Sequence, residues 1–143
     1  MEVVYKGKKY RNSYIIEAYI ENNNAGSILF REGQQSIIIG ILKVSAEFRR
    51  NKIASILMGL VERFARKHGK NMIEGCLPRQ QVARAKARKF YSAYGCQLYV
   101  DHDEEKFIKF VTKESEKEGI INTNYEGKKG CLQHNTEGIE KLF

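Results

Sequence analysis

The sequence has little of what would mark a membrane or secreted protein. Its 143 residues include no tryptophan, one proline and three cysteines. The longest apolar run, Ile37 to Leu42 with Gly40 inside it, is far too short to cross a bilayer. The first residues also lack the charged and then apolar pattern of a secretory signal. We therefore expect a cytoplasmic protein that does not enter a membrane.

The cysteines do not form a recognisable metal site. Cys76, Cys96 and Cys131 are odd in number, lie far apart and share no ligand spacing. In a reducing compartment they are best interpreted as small apolar residues. A catalytic thiol would need a base beside it, and nothing in the sequence brings one of the three histidines to that position. No metal is expected.

What the sequence does have is enough apolar material for one domain and an uneven charge. Hydrophobic residues make up 42% and charged residues 29%, which is typical of a globular protein. The net charge is +8, with twelve basic and only two acidic residues between positions 49 and 89. Such a stretch favours an anionic partner: a phosphorylated cofactor, a nucleic acid or an acidic protein surface. The alternative without a binding function is a solvated basic surface that has no specific ligand.

The first 44 residues predict a meander of β-strands. They are rich in β-branched and aromatic residues and are interrupted by turn-forming clusters at 21–26 and 31–34. The predicted strands are a short one near Val3 to Tyr10, then Ser13–Ile20, Ser27–Phe30 and Ser36–Val44. The continuous apolar run in the last of them indicates burial on both faces.

The period then changes to that of a helix. Apolar residues at Ile53, Ile56, Leu57, Leu60, Val61 and Phe64 share one helical face, and Gly69 is a natural end. The remaining predicted elements are a strand from Met72 to Leu77, a helix from about Gln80 to Tyr94, and a hairpin of Leu98–Val100 and Phe107–Val111. This order indicates an α+β fold with one crossover between parallel strands.

The C-terminal residues differ in composition from the rest. We assign residues 1–113 to the domain and residues 114–143 to a C-terminal extension that has six glutamates against four lysines. Ile120, Ile121 and Tyr125 are candidates for a short strand. The extension has too few apolar residues for a core of its own, and its acidity opposes the basic domain. We expect it to lie against the domain or against a second copy, as an interface arm of a homodimer.

The most informative junction follows the strand that ends at Val44. A short basic loop with Arg49, Arg50 and Lys52 leads into the helix that starts near Ile53. Unpaired backbone N–H groups and the helix dipole make such an N-terminus suitable for binding phosphate. The alternative is an ordinary strand-to-helix turn with exposed basic residues.

This junction resembles the acetyl-CoA pyrophosphate loop of the GNAT superfamily, whose motif is Q/R-x-x-G-x-G/A. Arg49 takes the first position and Ala54 the last, and Glu47 with Phe48 matches the residues that usually precede the motif. Lys52 stands where the first glycine of the motif usually lies. Glycine lets a ligand approach the backbone closely, so the lysine either replaces that contact with a charge or weakens the binding of CoA.

A second segment carries the same resemblance. The run from Ala87 to Gly95 is similar to the A-x-x-[LF]-Y-x-x-x-G segment of the superfamily, and it places Tyr91 at the tyrosine. Arg84 replaces the usual asparagine, and Cys96 replaces the usual phenylalanine. Together the two segments place about Tyr14 to Val111 within the resemblance.

The resemblance implies a mixed, mainly antiparallel sheet with helices packed on it. The superfamily usually carries one or two helices between its first and second strands. Only about a dozen residues precede Tyr14, so we expect those N-terminal helices to be reduced or absent. The acceptor side is then open, which favours a bulky substrate or a site completed by a second subunit.

The resemblance also implies an N-acetyltransferase that transfers an acetyl group from acetyl-CoA to a primary amine by direct attack. The cofactor-binding residues carried over are Leu42, Lys43, Val44, Arg49, Arg50, Asn51, Lys52, Ile53, Ala54, Ser55 and Lys89. The strand end would pair with the pantetheine and polarise the thioester carbonyl. Tyr91 would donate a proton to the CoA thiolate, the alternative being a packed aromatic. Candidates for the general base are Glu17, Glu47 and His102.

A different class of function stays open beside this one. A non-catalytic module of the same fold would bind a nucleic acid or a regulatory partner. The charge of +8, the arginine-rich second helix and the missing loop glycine favour it. The absence of an RNA-binding aromatic motif and of a helix-turn-helix pattern counts against it. The sequence does not identify the acceptor amine.

Overall fold

The computed structural model describes residues 2–49, 52–112 and 133–143, which form one eight-stranded sheet with helices packed on it. The strands are β1 (Glu2–Tyr10), β2 (Ser13–Ile20), β3 (Asn23–Glu32), β4 (Ser36–Val44), β5 (Met72–Cys76), β6 (Gln97–Asp101), β7 (Glu104–Phe110) and β8 (Gln133–Gly138). The helices are α1 (Ile53–Lys67) and α2 (Gln81–Tyr94), with short 3-10 turns at Ala46–Phe48 and Glu140–Leu142.

The strand order is β6-β7-β5-β4-β3-β2-β1-β8. Two pairs are parallel, β4 with β5 and β1 with β8, and the others are antiparallel. The mixed, mainly antiparallel sheet and the parallel crossover through α1 confirm the predicted fold class.

Two hairpins are tighter than the sequence predicts. Glu21 and Asn22 have φ values of 49° and 67°, and His102 and Asp103 have values of 50° and 66°. Two consecutive residues with positive φ form the two-residue turn that matches the twist of paired strands. Pairing therefore continues up to each turn. The prediction that residues 23–26 belong to a turn was wrong, because β3 begins at Asn23.

The first and second strands are joined directly. β1 ends at Tyr10 and β2 begins at Ser13, with Arg11 at φ 56° in the turn between them. No helix separates these strands, which confirms the prediction that the N-terminal helices are absent. In the described ranges both α-helices contact the same face of the sheet.

The helical period correctly predicted α1 and the core. Its apolar face, which includes Ile53, Leu57 and Phe64, is almost fully buried. The helix packs on β3, β4 and β5, and Gly69 ends it at φ 70°. Within the described residues, no helix is long and apolar enough to cross a membrane.

The last eleven residues complete the sheet. β8 pairs with β1, and the Tyr5 hydroxyl and His134 Nδ1 lie 2.8 Å apart. Ile139 is fully buried, and the Phe143 ring packs against Phe64 with centroids 6.1 Å apart. Residues 133–143 thus lie against the domain's own sheet, in a strand the sequence did not predict. The short strand predicted from residues 120, 121 and 125 lies outside the described residues.

Candidate active site

The site begins where β4 and β5 separate. The two strands pair from Ser36 with Met72 to Ile39 with Gly75. β5 ends one residue later, whereas β4 continues to Val44 and, among the described residues, pairs there only with β3. The backbone from residue 40 to residue 44 therefore has a free edge on the β5 side.

A β-bulge marks the point of separation. Leu29 pairs with Ile41 and Phe30 pairs with Ile39, so Gly40 is the extra residue on β4. A bulge bends the strand and changes the direction of its backbone groups. Here it turns the second half of β4 away from β5.

A cavity of about 760 Å³ lies along this free edge. Its other walls are the residues after β5 and the inward face of α2. The lining residues are Ile39, Gly40, Ile41, Leu42, Lys43, Val44, Arg49, Ala54, Cys76, Leu77, Pro78, Arg79, Ala83, Lys86, Ala87, Phe90 and Tyr91. Most of the wall is apolar, and Ile41 is 54% exposed although it is a large hydrophobic residue. An exposed apolar side chain in a concave wall is typical of a ligand site.

The charge of this cavity has one sign. Lys43, Arg49, Arg79 and Lys86 line it, and no aspartate or glutamate of the described chain does so. Cations at the rim of an apolar cleft favour a ligand with an anionic part and a long uncharged part.

The basic loop enters α1 through an unusual backbone conformation. Lys52 is the N-cap of α1 at φ 64° and ψ 14°, and its side chain makes no cap hydrogen bond. The left-handed conformation costs a non-glycine residue about 1–2 kcal/mol. Lys52 thus adopts the left-handed backbone conformation that glycine favours, at the position where the loop motif has a glycine.

Tyr91 lies at the inner end of the cavity. Only 6% of it is exposed, and its ring stacks on Phe107 with centroids 3.7 Å apart. Burial raises the pKa of the Tyr91 hydroxyl above its usual value. The hydroxyl therefore stays protonated throughout the neutral range, where it can donate a hydrogen bond or a proton.

The C-terminal end of α2, which carries Tyr91, is fixed by a polar cluster. The Tyr94 hydroxyl donates a hydrogen bond to Glu62 of α1, and Lys109 Nζ donates to the same carboxylate at 2.9 Å. Burial, followed by the nearby Glu62 charge, raises the pKa of Tyr94. Because the cluster ties α1, α2 and β7 together, it limits the movement of Tyr91 relative to the sheet.

The structure brings six of the twelve site residues predicted from the sequence to the cavity. These are Leu42, Lys43, Val44, Arg49, Ala54 and Tyr91. Lys52, Ser55 and Lys89 do not line it, and Ile53 is buried in the core at 1% exposure. Arg50 and Asn51 lie outside the described residues. The binding and catalytic roles assigned to all of them stay predictions.

Several lining residues were not among the predicted site residues. Arg79 follows β5, and Ala83, Lys86, Ala87 and Phe90 occupy the inward face of α2. The spacing of residues 83, 87 and 90 is that of one helical face, so the sequence indicates that these side chains lie together. It does not indicate that they face a cavity.

None of the three candidates for the general base lines this cavity. Glu17 lies on β2 and pairs with Lys8 at 3.3 Å. Glu47 lies in the 3-10 turn after β4. His102 is in the β6–β7 turn with its side chain 93% exposed.

Helix α2 is less basic than its sequence indicates. Arg88 donates two hydrogen bonds to Glu105, and Arg84 Nε lies 3.5 Å from the same carboxylate. The hydrogen bonds from Arg88 lower the pKa of Glu105, so the carboxylate stays charged and offsets part of the arginine charge. Among the described residues, no three histidine, cysteine, aspartate or glutamate side chains are grouped so that they could hold a metal ion.

Comparison with known proteins gives a family and a fold. The family model described as "Acetyltransferase (GNAT) family" matches residues 3–96. No curated protein sequence matches the chain.

Solved structures resemble the chain at low identity. A nourseothricin acetyltransferase is 17% identical, with a TM-score of 0.63 over 78% of this chain and 86% of the other. The PaiA N-acetyltransferase of Thermoplasma acidophilum, solved in complex with coenzyme A, is 18% identical, with a TM-score of 0.62 over 69% and 61%. The ribosomal-protein-S18-alanine N-acetyltransferase of Escherichia coli is 13% identical, with a TM-score of 0.58 over 76% and 75%. At these identities the structural likeness establishes the fold alone.

Proposed function

The chain belongs to the GNAT acetyltransferase family, and from that premise we propose that it transfers an acetyl group from acetyl-CoA to a primary amine by direct attack. The observation that carries the proposal is the free backbone edge of residues 40–44 along an apolar cavity. This edge offers unpaired N–H and C=O groups to an extended ligand, in the manner of an added strand. The pantetheine arm of acetyl-CoA has the amide groups and the length that such an edge accepts.

The charges of the cavity fit the rest of the cosubstrate. CoA carries phosphates at one end and an uncharged arm at the other. Arg49, Arg79 and Lys86 supply cations for the phosphates, and Leu77, Ala83 and Phe90 supply apolar walls for the arm. The N-terminus of α1 adds backbone donors beside Arg49.

The residues at the inner end would carry out the transfer. A backbone N–H at the free edge polarises the thioester carbonyl, which is worth about 2.7–4 kcal/mol for one well-placed donor. Tyr91 donates to the sulfur as the C–S bond breaks. Its burial keeps the proton in place, because the raised pKa excludes the phenolate at neutral pH. The accepted contribution of such acid help is about 10²–10⁴ in rate.

The proposal is tested by binding and then by turnover. Acetyl-CoA should bind the wild-type protein in calorimetry, and Arg49→Glu should weaken that binding while circular dichroism is unchanged. A panel of alkylamines, polyamines and lysine peptides should then release free CoA thiol with at least one acceptor. Undiminished binding in a folded Arg49→Glu variant, or no thiol release with any amine, would contradict the proposal.

The non-catalytic alternative stays a prediction. It needs a basic surface for a nucleic acid or another anionic partner, and Glu105 offsets two of the α2 arginines that favoured it. Tight oligonucleotide binding without thiol release would favour this alternative. A homodimer likewise stays a prediction.

A further inference from the structure

A second cavity opens on the opposite side of the same strand gap. It measures about 340 Å³ and is lined by Ile38, Ile39, Gly40, Glu74, Gly75, Cys76 and Lys106. Ile39, Gly40 and Cys76 also line the first cavity. The two cavities therefore meet at the point where β4 leaves β5.

Alternation along the strands places this cavity on the face opposite α1 and α2. Ile73 and Phe107 are buried under α1 and α2, so their neighbours Glu74 and Lys106 point the other way. Glu74 pairs with Ile38 on β4 and with Ile108 on β7, which surrounds its carboxylate with apolar neighbours on both sides.

Glu74 supplies the negative charge at the gap. It is the one carboxylate among the described residues that line either cavity. Within residues 2–49, 52–112 and 133–143 its side chain makes no hydrogen bond or ion pair. Lys106 in the same cavity is held by Asp101 at 3.1 Å, and that hydrogen bond raises the pKa of Lys106, so the lysine stays charged.

A second carboxylate on this face, that of Glu17, already has two partners. Glu17 accepts a hydrogen bond from Asn24 at 3.2 Å and pairs with Lys8. It also lies on β2, two strands from β4, which is about 10 Å along the sheet.

We propose that the second cavity receives the acceptor amine and that the Glu74 carboxylate is the catalytic base that takes its proton. The assignment rests on the acetyl transfer proposed above. Glu74 removes one proton from the ammonium group, which frees the nitrogen lone pair. The nitrogen then forms a bond to the thioester carbon through the gap at Gly40, the C–S bond breaks, and the sulfur leaves with the bonding electrons and is protonated. The nitrogen loses its second proton to water as the amide forms, and Glu74 returns its proton to solvent. One of these two protons replaces, through solvent, the proton that Tyr91 gave to the sulfur.

The size of the cavity limits the part of the acceptor that enters it. A volume of about 340 Å³ suits a single unbranched amine arm, and no α-helix of the described residues covers this face. Glu74 attracts the positive charge of the arm, Asp101 offsets the charge of Lys106 in the same cavity, and Ile38 beside Glu74 contacts the apolar part of the arm. The ligand class is thus a primary alkyl ammonium group on a slender chain.

The decisive variant is Glu74→Gln, with Glu17→Gln as the matched control on the same face. Turnover is measured with ethylamine and with trifluoroethylamine, which have nearly the same shape, although only the fluorinated amine is largely unprotonated at neutral pH. With ethylamine, Glu74→Gln should lower kcat/KM by about 10²–10⁴, the usual contribution of a general base. The loss should be clearly smaller with trifluoroethylamine, and Glu17→Gln should change neither rate by more than about twofold.

Two further measurements separate catalysis from a structural role. Affinity for CoA in calorimetry should be unchanged in Glu74→Gln, and its kcat/KM should keep rising with pH as the free amine fraction grows. Glu74→Asp keeps the charge but shortens the side chain, so it should lower kcat/KM by an intermediate amount. This variant replaces Glu74→Gln in the test if Glu74→Gln does not fold.

The outcomes distinguish this assignment from the function on which it rests. Wild-type turnover that Glu74→Gln leaves unchanged, or lowers equally for both amines, overturns the role of Glu74 and leaves the acetyl transfer standing. An absence of turnover in the wild-type protein with every amine overturns the transfer itself, and the assignment with it.

Discussion

The two halves of β4 have similar apolar side chains and opposite environments. Residues 37–39 pair with β3 on one side and β5 on the other, and Ile37 is fully buried. Residues 41–44 pair with β3 alone, and Ile41 is 54% exposed. The loss of one neighbouring strand, and not a change of residue type, turns a core strand into the wall of a binding cavity.

Two local features explain why β5 stops. Pro78 follows it closely and has no N–H to donate to a ladder. A side chain at Gly75 would lie 2.7 Å from the Phe107 ring and 3.0 Å from the Ile39 carbonyl oxygen, so glycine is required where the strands make their last contact. Beyond that contact Gly40 bends β4 away.

The largest expected effect is on stability, and it is measured by truncating one side chain in each half of β4. Ile37→Ala removes a fully buried side chain and should lower the free energy of unfolding by about 2–5 kcal/mol. Ile41→Ala removes one that is half exposed and should lower it by less than about 1 kcal/mol. Chemical denaturation of the two variants measures both values. Equal losses would mean that the second half is as much part of the core as the first.

Tyr91→Phe tests whether the inner end of the cavity is catalytic. The variant keeps the ring on Phe107, so stability and CoA affinity should barely change. Turnover should fall by at least about tenfold, the low side of what acid help contributes. Because the pKa of Tyr91 is raised above its usual value of about 10, the wild-type rate should show no loss from Tyr91 ionisation up to about pH 9. Wild-type turnover in the variant would reduce Tyr91 to a packing residue.

A charge reversal on α2 compares a residue inside the cavity with one outside it. Lys86 lines the cavity, whereas Lys89, three residues later, does not. Lys86→Glu should weaken acetyl-CoA binding by about tenfold, equivalent to about 1.4 kcal/mol. Lys89→Glu should change it by less than about threefold, since a distant exposed charge is screened by salt. Calorimetry at one ionic strength gives both; a larger effect at Lys89 would favour the residue predicted from the sequence.

The smallest expected effect concerns the loop that follows β4. Lys52→Gly relieves a left-handed conformation at φ 64° but gives the unfolded chain more freedom. These effects oppose each other, so we expect a gain in stability of less than about 1 kcal/mol, with α1 intact. Thermal unfolding measures it. A clear loss of stability would show that contacts of the Lys52 side chain outweigh the backbone strain.

The sequence predicted the parts of this arrangement that depend on local patterns. The 3.6-residue period from Ile53 identified α1, the apolar run identified β4, and Gly95, at φ 108°, marked the end of α2. These features are visible because they depend on neighbours along the chain.

The remaining parts depend on neighbours in space. Three features require the strand register, which no local pattern gives. They are the end of the β4–β5 pairing at Gly75, the bulge at Gly40 and the second cavity beside Glu74. The same is true of β8, which has no strand-like alternation and pairs with β1 from the far end of the chain. For the same reason, the three candidates for the general base that the sequence offers do not include Glu74.

The most direct test of the account is residue-resolved amide hydrogen exchange on β4 with and without acetyl-CoA. If the free edge binds the cosubstrate as an added strand, exchange should slow within residues 40–44, where amides on that edge gain a partner. Exchange within residues 37–39 should hardly change, because these residues are already paired on both sides. Slowing that is absent from residues 40–44 while acetyl-CoA is bound would contradict the central claim that the unpaired half of β4 is the cosubstrate site.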